Sequence, residues 1–362
     1  MTDITAAPPP PPSVRAVSLE APLGIAPMAG MTDTAFRRLV KRHGGCGLVV
    51  SEMVSSEGLV RGIDRTLEYA EYTEEERPVA IQIFGGDPAR MADAARIVEG
   101  LGADIVDVNM GCPVPKIARH NAGCSLMREP EHAAAIIRSM ARAVRIPVTV
   151  KMRAGWDEGS LNAGRLARLV EDAGAAAVTV HGRTAKQAYS GQADWSLIGR
   201  VAESLSIPVF GSGDCVEPEQ VVDRLAQHGV AGVLVGRGVL RNPWILAQTA
   251  DLLAGRPKGL VTGADRGRFL LDYVDLLLNE GEGEHAGFRH TAGATSGPPS
   301  GRAADAGRRA RWVVNKLRAL NAWYSRGITD GSRLRVSINA AESVDHLRDL
   351  IRQFFLPGEA AA

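Results

Sequence analysis

The sequence predicts an α/β protein, a (β/α)8 TIM barrel followed by a small C-terminal helical domain. Eight short runs rich in Val, Ile and other apolar residues indicate strands that are buried on both faces. Amphipathic segments separate these runs, and the units recur at intervals that suit a barrel of about 250 residues. The runs are LGIAPM (23–28), GLVVSEM (47–53), VAIQIFG (79–85), DIVDVNMG (104–111), PVTVKMR (147–153), AVTVHGR (177–183), PVFGSGD (208–214) and GVLVGRG (232–238).

The segments between the runs are typical of helices. DPARMADAARIVEGLG (87–102) and SLNAGRLARLVEDAG (160–174) both have amphipathic spacing and end at Gly, as many helices do. Eight alternations of strand and helix favour a closed parallel barrel. An open, doubly wound sheet is the alternative that the pattern alone leaves.

Three regions are predicted along the chain. Residues 1–20, with five prolines at 8–12, are expected to form a disordered tail, and the barrel is expected to span 21–248. Helical periodicity returns in the C-terminal domain, 249–362, which is interrupted at 281–310 by a segment that has the composition of a flexible insertion. The predicted helices of this domain include RFLLDYVDLLLNE (268–280), RWVVNKLRALNAWYSRG (311–327) and AESVDHLRDLIRQFF (341–355).

Composition excludes several classes of protein. The formal net charge of +1 does not by itself indicate a polyanion as partner, and no run reaches the roughly 18 apolar residues of a membrane span. The four cysteines, at 46, 112, 124 and 215, match neither a disulfide scaffold nor a close-spaced zinc pair, so no metal site is expected. Free cysteines and the lack of a signal-peptide pattern predict a cytoplasmic location.

Polar residues follow the predicted strands at the edge where a barrel of this kind performs its chemistry. Because the carboxyl ends of all eight strands meet at one rim, these side chains are expected to converge on one cavity. They are Met28, Glu52, Gln82, Asn109 with Cys112, Lys151 with Arg153, His181 with Arg183, Asp214, and Gly236 with Arg237. Found singly at the end of a strand, each of these residue types is more often a solvated or hydrogen-bonded residue than part of a functional site.

The last two strands predict a phosphate site. They end in GSGD (211–214) and GRG (236–238), where backbone N–H groups can approach an anion and Arg237 can add a charged hydrogen bond. A phosphate-bearing cofactor held there would place its reactive ring over the barrel centre. Gln82 could then hydrogen-bond a ring amide, and Lys151 could stabilise negative charge on a reduced flavin.

Cys112 is the candidate for proton transfer. An unperturbed thiol has a pKa of about 8.5, so near neutral pH it can donate a proton, or act as a nucleophile once deprotonated. Its position on a Gly-Cys-Pro corner after the fourth strand favours such a role over that of a small buried hydrophobic residue. Cys215, beside Asp214, remains an alternative.

Several motifs resemble those of the tRNA-dihydrouridine synthases, most closely the bacterial B-type branch. The resemblance extends from about residue 24 to residue 245, and the Asn-x-Gly-Cys-Pro and His-Gly-Arg-Thr blocks are its most specific parts. The matching segments are APMAGMTDTAFRRLV (26–40), SEMVSSEGL (51–59), IQIFGGDP (81–88), VDVNMGCPVPKI (106–117), AGCSLM (122–127), VTVKMRAGW (148–156), VTVHGRTAKQAYSGQADW (178–195) and VGRGVLRNPWI (235–245).

The resemblance implies an FMN enzyme that reduces uridines in tRNA to 5,6-dihydrouridine, with NADPH or NADH as electron donor. It implies hydride transfer from flavin N5 to uracil C6, while Cys112 protonates C5. Substrate contacts would come from Asn109 and Arg183. The residues expected to bind the cofactor are Pro27, Met28, Ala29, Gln82, Lys151, His181, Ser212, Gly213, Asp214, Gly236 and Arg237.

The predicted tRNA partner agrees with the charge of the helical domain. Between Arg302 and Arg335 nine basic residues face two acidic ones, a local net charge of +7. The chain departs from the family at Ser212, where Asn is common, and lacks an Arg-Lys-His segment before Trp323-Tyr324. Two alternatives are a small-molecule FMN reductase related to dihydroorotate dehydrogenase, and a non-enzymatic RNA-binding protein. No obligate protein partner is evident.

Overall fold

The computed structural model describes residues 12–118, 121–280, 282–291 and 306–358, and confirms the predicted closed barrel. Each strand pairs in parallel with the next, and β8 returns to β1 through Val233 and Leu23. The closure rules out the open sheet. The strands are β1 Leu23–Ile25, β2 Leu48–Val50, β3 Val79–Phe84, β4 Ile105–Met110, β5 Val148–Arg153, β6 Ala177–His181, β7 Val209–Ser212 and β8 Gly232–Val235.

Helices follow the strands and cover the outside of the barrel. Their first turns are capped by side chains that the sequence supplies, such as Asp33 and Asp87, whose carboxylates accept backbone N–H groups. The helices of this layer are Thr34–His43, Ser56–Val60, Asp64–Tyr69, Pro88–Gly100, Pro115–Ala118, Pro130–Ala143, Ala163–Asp172, Trp195–Glu203, Pro218–Gln227, Arg237–Arg241 and Ile245–Leu253. Short 3-10 turns lie at Glu74–Glu76, Gly123–Arg128 and Glu158–Ser160.

Alternation along the strands separates the apolar layer from the polar interior. In β4, Val106 and Val108 join the buried core shared with the outer helices, whereas Asp107 and Asn109 hydrogen-bond residues of neighbouring strands inside the barrel. The parallel register places Asn109 opposite Lys151. The strand pattern therefore brings polar side chains together along the barrel axis.

The amino-terminal end of the barrel is closed by a short hairpin. Strands Ser13–Val14 and Val17–Ser18 pair antiparallel, and Val14 and Leu19 are buried against interior residues such as Ile105. The predicted tail over 1–20 is therefore wrong for residues 12–20, because their apolar side chains fill the barrel floor. Residues 1–11 lie outside the described part of the chain.

The predicted C-terminal helices are present and pack on the barrel. They are Gly263–Leu278, Ala306–Tyr324, Gly331–Asn339 and Val344–Phe355. Phe36 of the first barrel helix packs edge-on against both Phe269 and Tyr273, with ring centroids 6.2 Å apart in each pair. The predicted boundary at 248 falls inside the helix Ile245–Leu253. None of the described helices has the length and apolarity that a membrane crossing requires.

Part of the predicted flexible insertion has regular structure. A two-residue strand, Arg289–His290, pairs with Tyr72–Thr73, and the ring of His290 stacks on Tyr72 at 4.5 Å. The guanidinium of Arg289 pairs with Glu280 and Glu284, which fixes this end of the segment. The prediction is therefore wrong for 282–291, and it is also wrong for 306–310, which begin a helix. Residues 281 and 292–305 of the predicted insertion lie outside the described residues.

Candidate active site

A cavity of about 430 Å³ opens at the carboxyl ends of the barrel strands. It receives residues from the barrel and one from the helical domain, Trp323. Of the residues predicted at this rim, all but Arg183 and Glu52 line it; the prediction is wrong for Glu52, whose buried carboxylate instead accepts the backbone N–H of Gly30 behind the cavity wall. The lining residues are Ala26, Pro27, Met28, Ala29, Met31, Met53, Gln82, Asn109, Gly111, Cys112, Pro113, Val114, Lys151, Arg153, His181, Tyr189, Ser212, Gly213, Asp214, Cys215, Gly236, Arg237, Gly238 and Trp323.

A buried hydrogen-bond network crosses β3, β4 and β5 below this cavity. The amide of Gln82 donates to Asp107 at 2.7 Å, and Thr149 donates to the other oxygen of that carboxylate at 2.6 Å. Asn109 donates to Gln82 Oε1 at 2.7 Å. These bonds use up one donor and the acceptor of the Gln82 amide, so its orientation is defined. Burial raises the pKa of Asp107, although its hydrogen bonds and Lys151 oppose this effect.

Lys151 brings a buried cation to the centre of the site. Its desolvation, with the nearby charge of Arg153, lowers its pKa from 10.5 to about 8, while Asp107 and Cys112 act in the opposite direction. The ammonium is therefore charged at neutral pH but poorly compensated. A group that carries negative charge in the cavity would be stabilised by it.

Cys112 is the one cysteine with a partly exposed side chain, since Cys46, Cys124 and Cys215 are buried. Its backbone N–H donates to Asn109 Oδ1 at 2.9 Å, and its carbonyl accepts from Cys124 N at 3.1 Å. Burial raises the pKa of the thiol, against the opposing charges of Arg153 and Lys151. The thiol therefore stays protonated at neutral pH and faces two cations that would stabilise its thiolate.

The alternative thiol, Cys215, is less suited to proton transfer. It touches the cavity, but its S–H donates to Gly213 O at 3.4 Å, and burial raises its pKa to about 12. A thiol with so high a pKa is a poor proton donor. The geometry therefore favours Cys112 over Cys215.

The predicted phosphate corner combines two backbone turns with charged side chains. Gly213 (φ 128°) and Asp214 (φ 51°) adopt left-handed conformations after β7, and Gly236 precedes the short helix that starts at Arg237. Gly238 packs so tightly on the β7 loop that an added Cβ would lie 2.1 Å from Cys215 O. The two loops thus approach each other through backbone, with Arg237 beside them.

His181 contributes a neutral hydrogen-bond donor at this corner. Burial and the surrounding cations Lys151, Arg153, Arg183 and Arg237 hold its pKa far below the usual value for histidine. Its Nδ1 accepts the backbone N–H of Arg183 at 3.1 Å, so in the neutral ring the proton is on Nε2. Nε2–H is therefore a donor.

Arg183 lies behind the cavity and is 3% exposed. Its Nη2 donates to both carboxylate oxygens of Asp214, at 2.7 and 2.9 Å, and to Gly191 O, while Nε donates to Ser190 O. This arrangement ties the loop after β6 to the loop after β7. A direct contact of Arg183 with substrate stays a prediction.

Several residues of the site were not predicted from the sequence. Asp107 could have been found, because it lies two positions before Asn109 and so faces the same side of its strand. Tyr189 is 58% exposed at the cavity mouth, where the guanidinium of Arg237 lies 4.5 Å from its ring centroid. Trp323 reaches the cavity from the helical domain, and no local sequence signal indicates this contact.

The donor groups of the cavity fit a flavin phosphate better than a metal ion. Glycine-rich turns, Arg237 and the neutral His181 supply donors for an anion, while Gln82 and Lys151 supply polar groups at the centre. Among the described residues, no cluster of three or more His, Cys, Asp or Glu side chains could hold a metal.

Comparisons with known proteins identify the family of this chain. A sequence model of the family described as dihydrouridine synthase matches residues 24–292. The probable tRNA-dihydrouridine synthase of Rhodobacter capsulatus is 43% identical over 271 residues, 74% of this chain and 83% of that protein. The corresponding protein of Rickettsia conorii is 38% identical over 341 residues, 94% of this chain and 95% of its own length.

Two further comparisons bear on the branch and the fold. tRNA-dihydrouridine synthase B of Xanthomonas campestris pv. campestris is 36% identical over 332 residues, covering 91% of this chain and 92% of that protein. A solved 2-naphthoyl-CoA reductase complex is 14% identical with a TM-score of 0.54, over 73% of this chain and 55% of its own, and shares the fold alone. The family match and these identities confirm the resemblance, and the chain belongs to the tRNA-dihydrouridine synthases, oxidoreductases that reduce uridines in tRNA.

Proposed function

We propose that this chain binds FMN and reduces specific uridines of tRNA to 5,6-dihydrouridine, with NADPH or NADH as electron donor and Cys112 as proton donor. The observation that carries the proposal is the partly exposed Cys112 thiol at a cavity whose other walls hold Lys151, Gln82 and an anion-binding corner. Bound FMN would supply the hydride that reduces the C5=C6 bond of the uracil.

The residues of the cavity would contact two parts of the cofactor, its phosphate and its ring. His181 Nε2–H, Arg237 and the backbone of Gly213 and Gly236 would bind the cofactor phosphate. Pro27, Met28 and Ala29 would form an apolar wall beside the ring, and Ser212 and Asp214 would complete the corner. Gln82 and Lys151 would hydrogen-bond the ring, where the Lys151 charge stabilises added electron density.

Cys112 would complete the reduction of the base. Hydride addition at C6 leaves negative charge on the pyrimidine, which the Cys112 S–H neutralises by giving its proton to C5. The resulting thiolate is stabilised by Lys151 and Arg153, whose charges lower the pKa of this thiol. Solvent then returns a proton to the sulfur. Asn109, which holds the Cys112 backbone, would help to orient the base.

The helical domain supports a macromolecular substrate. Of the nine basic residues predicted there, Arg308, Arg311, Arg326 and Arg333 have exposed side chains. Arg309 is half-buried and pairs with Glu280, and Arg302 lies outside the described residues. Arg326 lies 5.3 Å from the ring of Trp323, which lines the cavity, so positive charge extends from the cavity onto this domain.

The decisive experiment is to map dihydrouridine in tRNA from cells with and without this gene. The proposal expects one or a few positions to revert to uridine in the deletion strain, and the purified protein with FMN and NADPH to restore them on that tRNA. A Cys112→Ala protein serves as the matched control. Unchanged dihydrouridine at every position, together with no activity of the purified protein on unmodified tRNA, would contradict the proposal.

A further inference from the structure

One wall of the cavity is a tight loop between β1 and the helix Thr34–His43. Pro27, Met28, Ala29 and Met31 of this loop line the cavity. Two backbone hydrogen bonds close the turn, because Met28 O accepts the N–H of Met31 at 3.0 Å and that of Thr32 at 3.1 Å. Gly30 lies in this turn and has a φ of 76°, a value that glycine adopts without steric cost. The shape of the wall therefore depends on what holds this turn.

A lysine from the C-terminal domain holds the far side of the turn. Lys316, on the helix Ala306–Tyr324, donates to Gly30 O at 3.1 Å and pairs with the carboxylate of Asp33. The two side chains are only 9% and 19% exposed. The ring of Trp312 lies 5.4 Å from the Lys316 ammonium and shields it further. A pair so little exposed to water is screened weakly by salt.

Further contacts fix the same short stretch. Tyr273 O–H, from the helix Gly263–Leu278, donates to Asp33 Oδ2 at 2.7 Å. Asp33 Oδ1 accepts Phe36 N–H at 2.9 Å and so caps the first barrel helix. From the barrel side, Glu52 Oε2 accepts Gly30 N–H at 2.5 Å. Two helices of the C-terminal domain thus converge on four residues, 30–33, that adjoin the cavity wall.

The protonation states support an ion pair. The charge of Asp33 opposes the burial of Lys316 and raises the pKa of that ammonium above its usual value. The Lys316 charge and the hydrogen bonds of Asp33 outweigh its burial, so the pKa of Asp33 is lowered. Both groups are therefore charged at neutral pH, and removing either leaves an uncompensated charge in a poorly hydrated place.

We propose that Lys316 is a positioning residue for the cofactor site: through Asp33 and Gly30 it holds the Pro27–Met31 wall in the shape that receives the flavin. The inference rests on the proposed binding of FMN, but it assigns the helical domain a role other than contact with RNA. The domain supports this wall of the cavity through a little-exposed ion pair between Asp33 and Lys316, which are 283 positions apart in the chain.

The test uses the full chain and two readouts that do not require activity. Lys316→Met removes the charge but keeps most of the apolar stem, Lys316→Arg keeps the charge, and Asp33→Asn removes the pair from the other side while keeping a capping oxygen. The first readout is hydrogen exchange of the amides in peptides covering 27–33, measured without FMN. The second is the Kd for FMN, measured by quenching of flavin fluorescence.

The expected result is faster exchange in 27–33 and roughly tenfold weaker FMN binding for Lys316→Met and Asp33→Asn, with substantial recovery in Lys316→Arg. The double variant should be little worse than either single one, because both lose the same pair. The matched control is Arg165→Met, which breaks an exposed ion pair with Glu131 on the barrel surface and should change neither readout.

Wild-type exchange rates and an unchanged Kd in folded Lys316→Met or Asp33→Asn would overturn the inference. If Lys316→Met fails to fold, Asp33→Asn and Lys316→Arg decide the question. Failure of the wild-type protein to bind FMN would contradict the proposed cofactor, whereas the exchange measurement would still report on whether Lys316 holds the loop. The two failures are therefore distinguishable.

Discussion

Asn109 Oδ1 accepts the backbone N–H of Cys112 at 2.9 Å and that of Gly111 at 3.2 Å. The same side chain donates to Gln82, which in turn donates to Asp107. The backbone of the residue that would protonate the base is thus connected by consecutive hydrogen bonds to the amide that would bind the flavin ring. Since each bond restricts its neighbour, the two functional groups have a defined relative position.

Replacing Cys112 by Ala should separate the two halves of the proposed reaction. The variant is expected to bind FMN and to be reduced by NADPH at near wild-type rates, because the side chain has no role in those steps. Transfer to tRNA should fall by roughly 10²–10⁴-fold, the usual contribution of a positioned proton donor. Single-turnover reaction of reduced enzyme with unmodified tRNA measures this, and an unimpaired rate would remove Cys112 from the mechanism.

The raised pKa of Cys112 should be visible in its alkylation. In the protein without cofactor, iodoacetamide is expected to label Cys112 alone, since the other three cysteines are buried. Thiolate is the reactive form, and burial raises the pKa of this thiol above its ordinary value, so labelling should be slow at pH 7.5 and should still accelerate as the pH is raised into the alkaline range. Mass spectrometry of peptides locates the label. A rate that levels off below pH 8 would show that the thiol pKa is depressed instead.

Lys151 is expected to stabilise the bound cofactor at a cost to the stability of the empty protein. Its pKa is about 8 when folded and 10.5 in the reference state. Below pH 8 the penalty of burying the ammonium is fully present, and it disappears as pH rises from 8 through 10.5. Lys151→Met should therefore raise the Tm of the cofactor-free protein at pH 7, by roughly 5 °C, with a smaller gain at pH 9.5.

The same variant should bind FMN more weakly. Lys186→Met, which removes an exposed lysine paired with Asp157, is the control and should leave both Tm and FMN affinity nearly unchanged. A fall in the Tm of Lys151→Met at pH 7 would mean that the ammonium contributes net stability through Asp107.

Arg183 should influence phosphate binding although it lies behind the cavity. It neutralises Asp214 at the proposed phosphate corner, so Arg183→Met leaves a carboxylate that repels the phosphate. The affinity for FMN is expected to fall roughly tenfold more than the affinity for riboflavin, which has no phosphate. Fluorescence titration with both ligands gives the ratio. An equal loss for both would indicate a general disturbance of the loop.

Exposed arginines of the helical domain should contribute to tRNA affinity in a salt-dependent way. Arg311→Gln and Arg333→Gln, tested singly in the full chain, are each expected to reduce the slope of log K against log salt by up to about one. Deleting the domain is a poorer test, because it would expose Phe36, which packs on Phe269 and Tyr273. Salt slopes identical to wild type in both variants would place the RNA elsewhere.

Local patterns predicted the barrel and most of the cavity, because they are repeated in each unit. The apolar runs gave all eight strands, and the residues at their ends, such as Gln82 and Lys151, line the cavity. What the patterns missed depends on contacts between distant parts of the chain. Val14 packs inside the amino-terminal end of the barrel. Lys316 forms an ion pair with Asp33, although the two residues are far apart in the sequence. Neither partner can be inferred from its own neighbourhood.

The hairpin at residues 13–18 also limits how the proposed reaction can proceed. Because Val14 and Leu19 close the amino-terminal end of the barrel, ligands are expected to enter the cavity at the opposite rim, which carries Cys112 and Tyr189. The nicotinamide of the electron donor and the uracil of the tRNA would both enter the cavity through this opening. We expect the two ligands to occupy this opening in turn, so that initial-rate plots show the parallel lines of a double-displacement scheme.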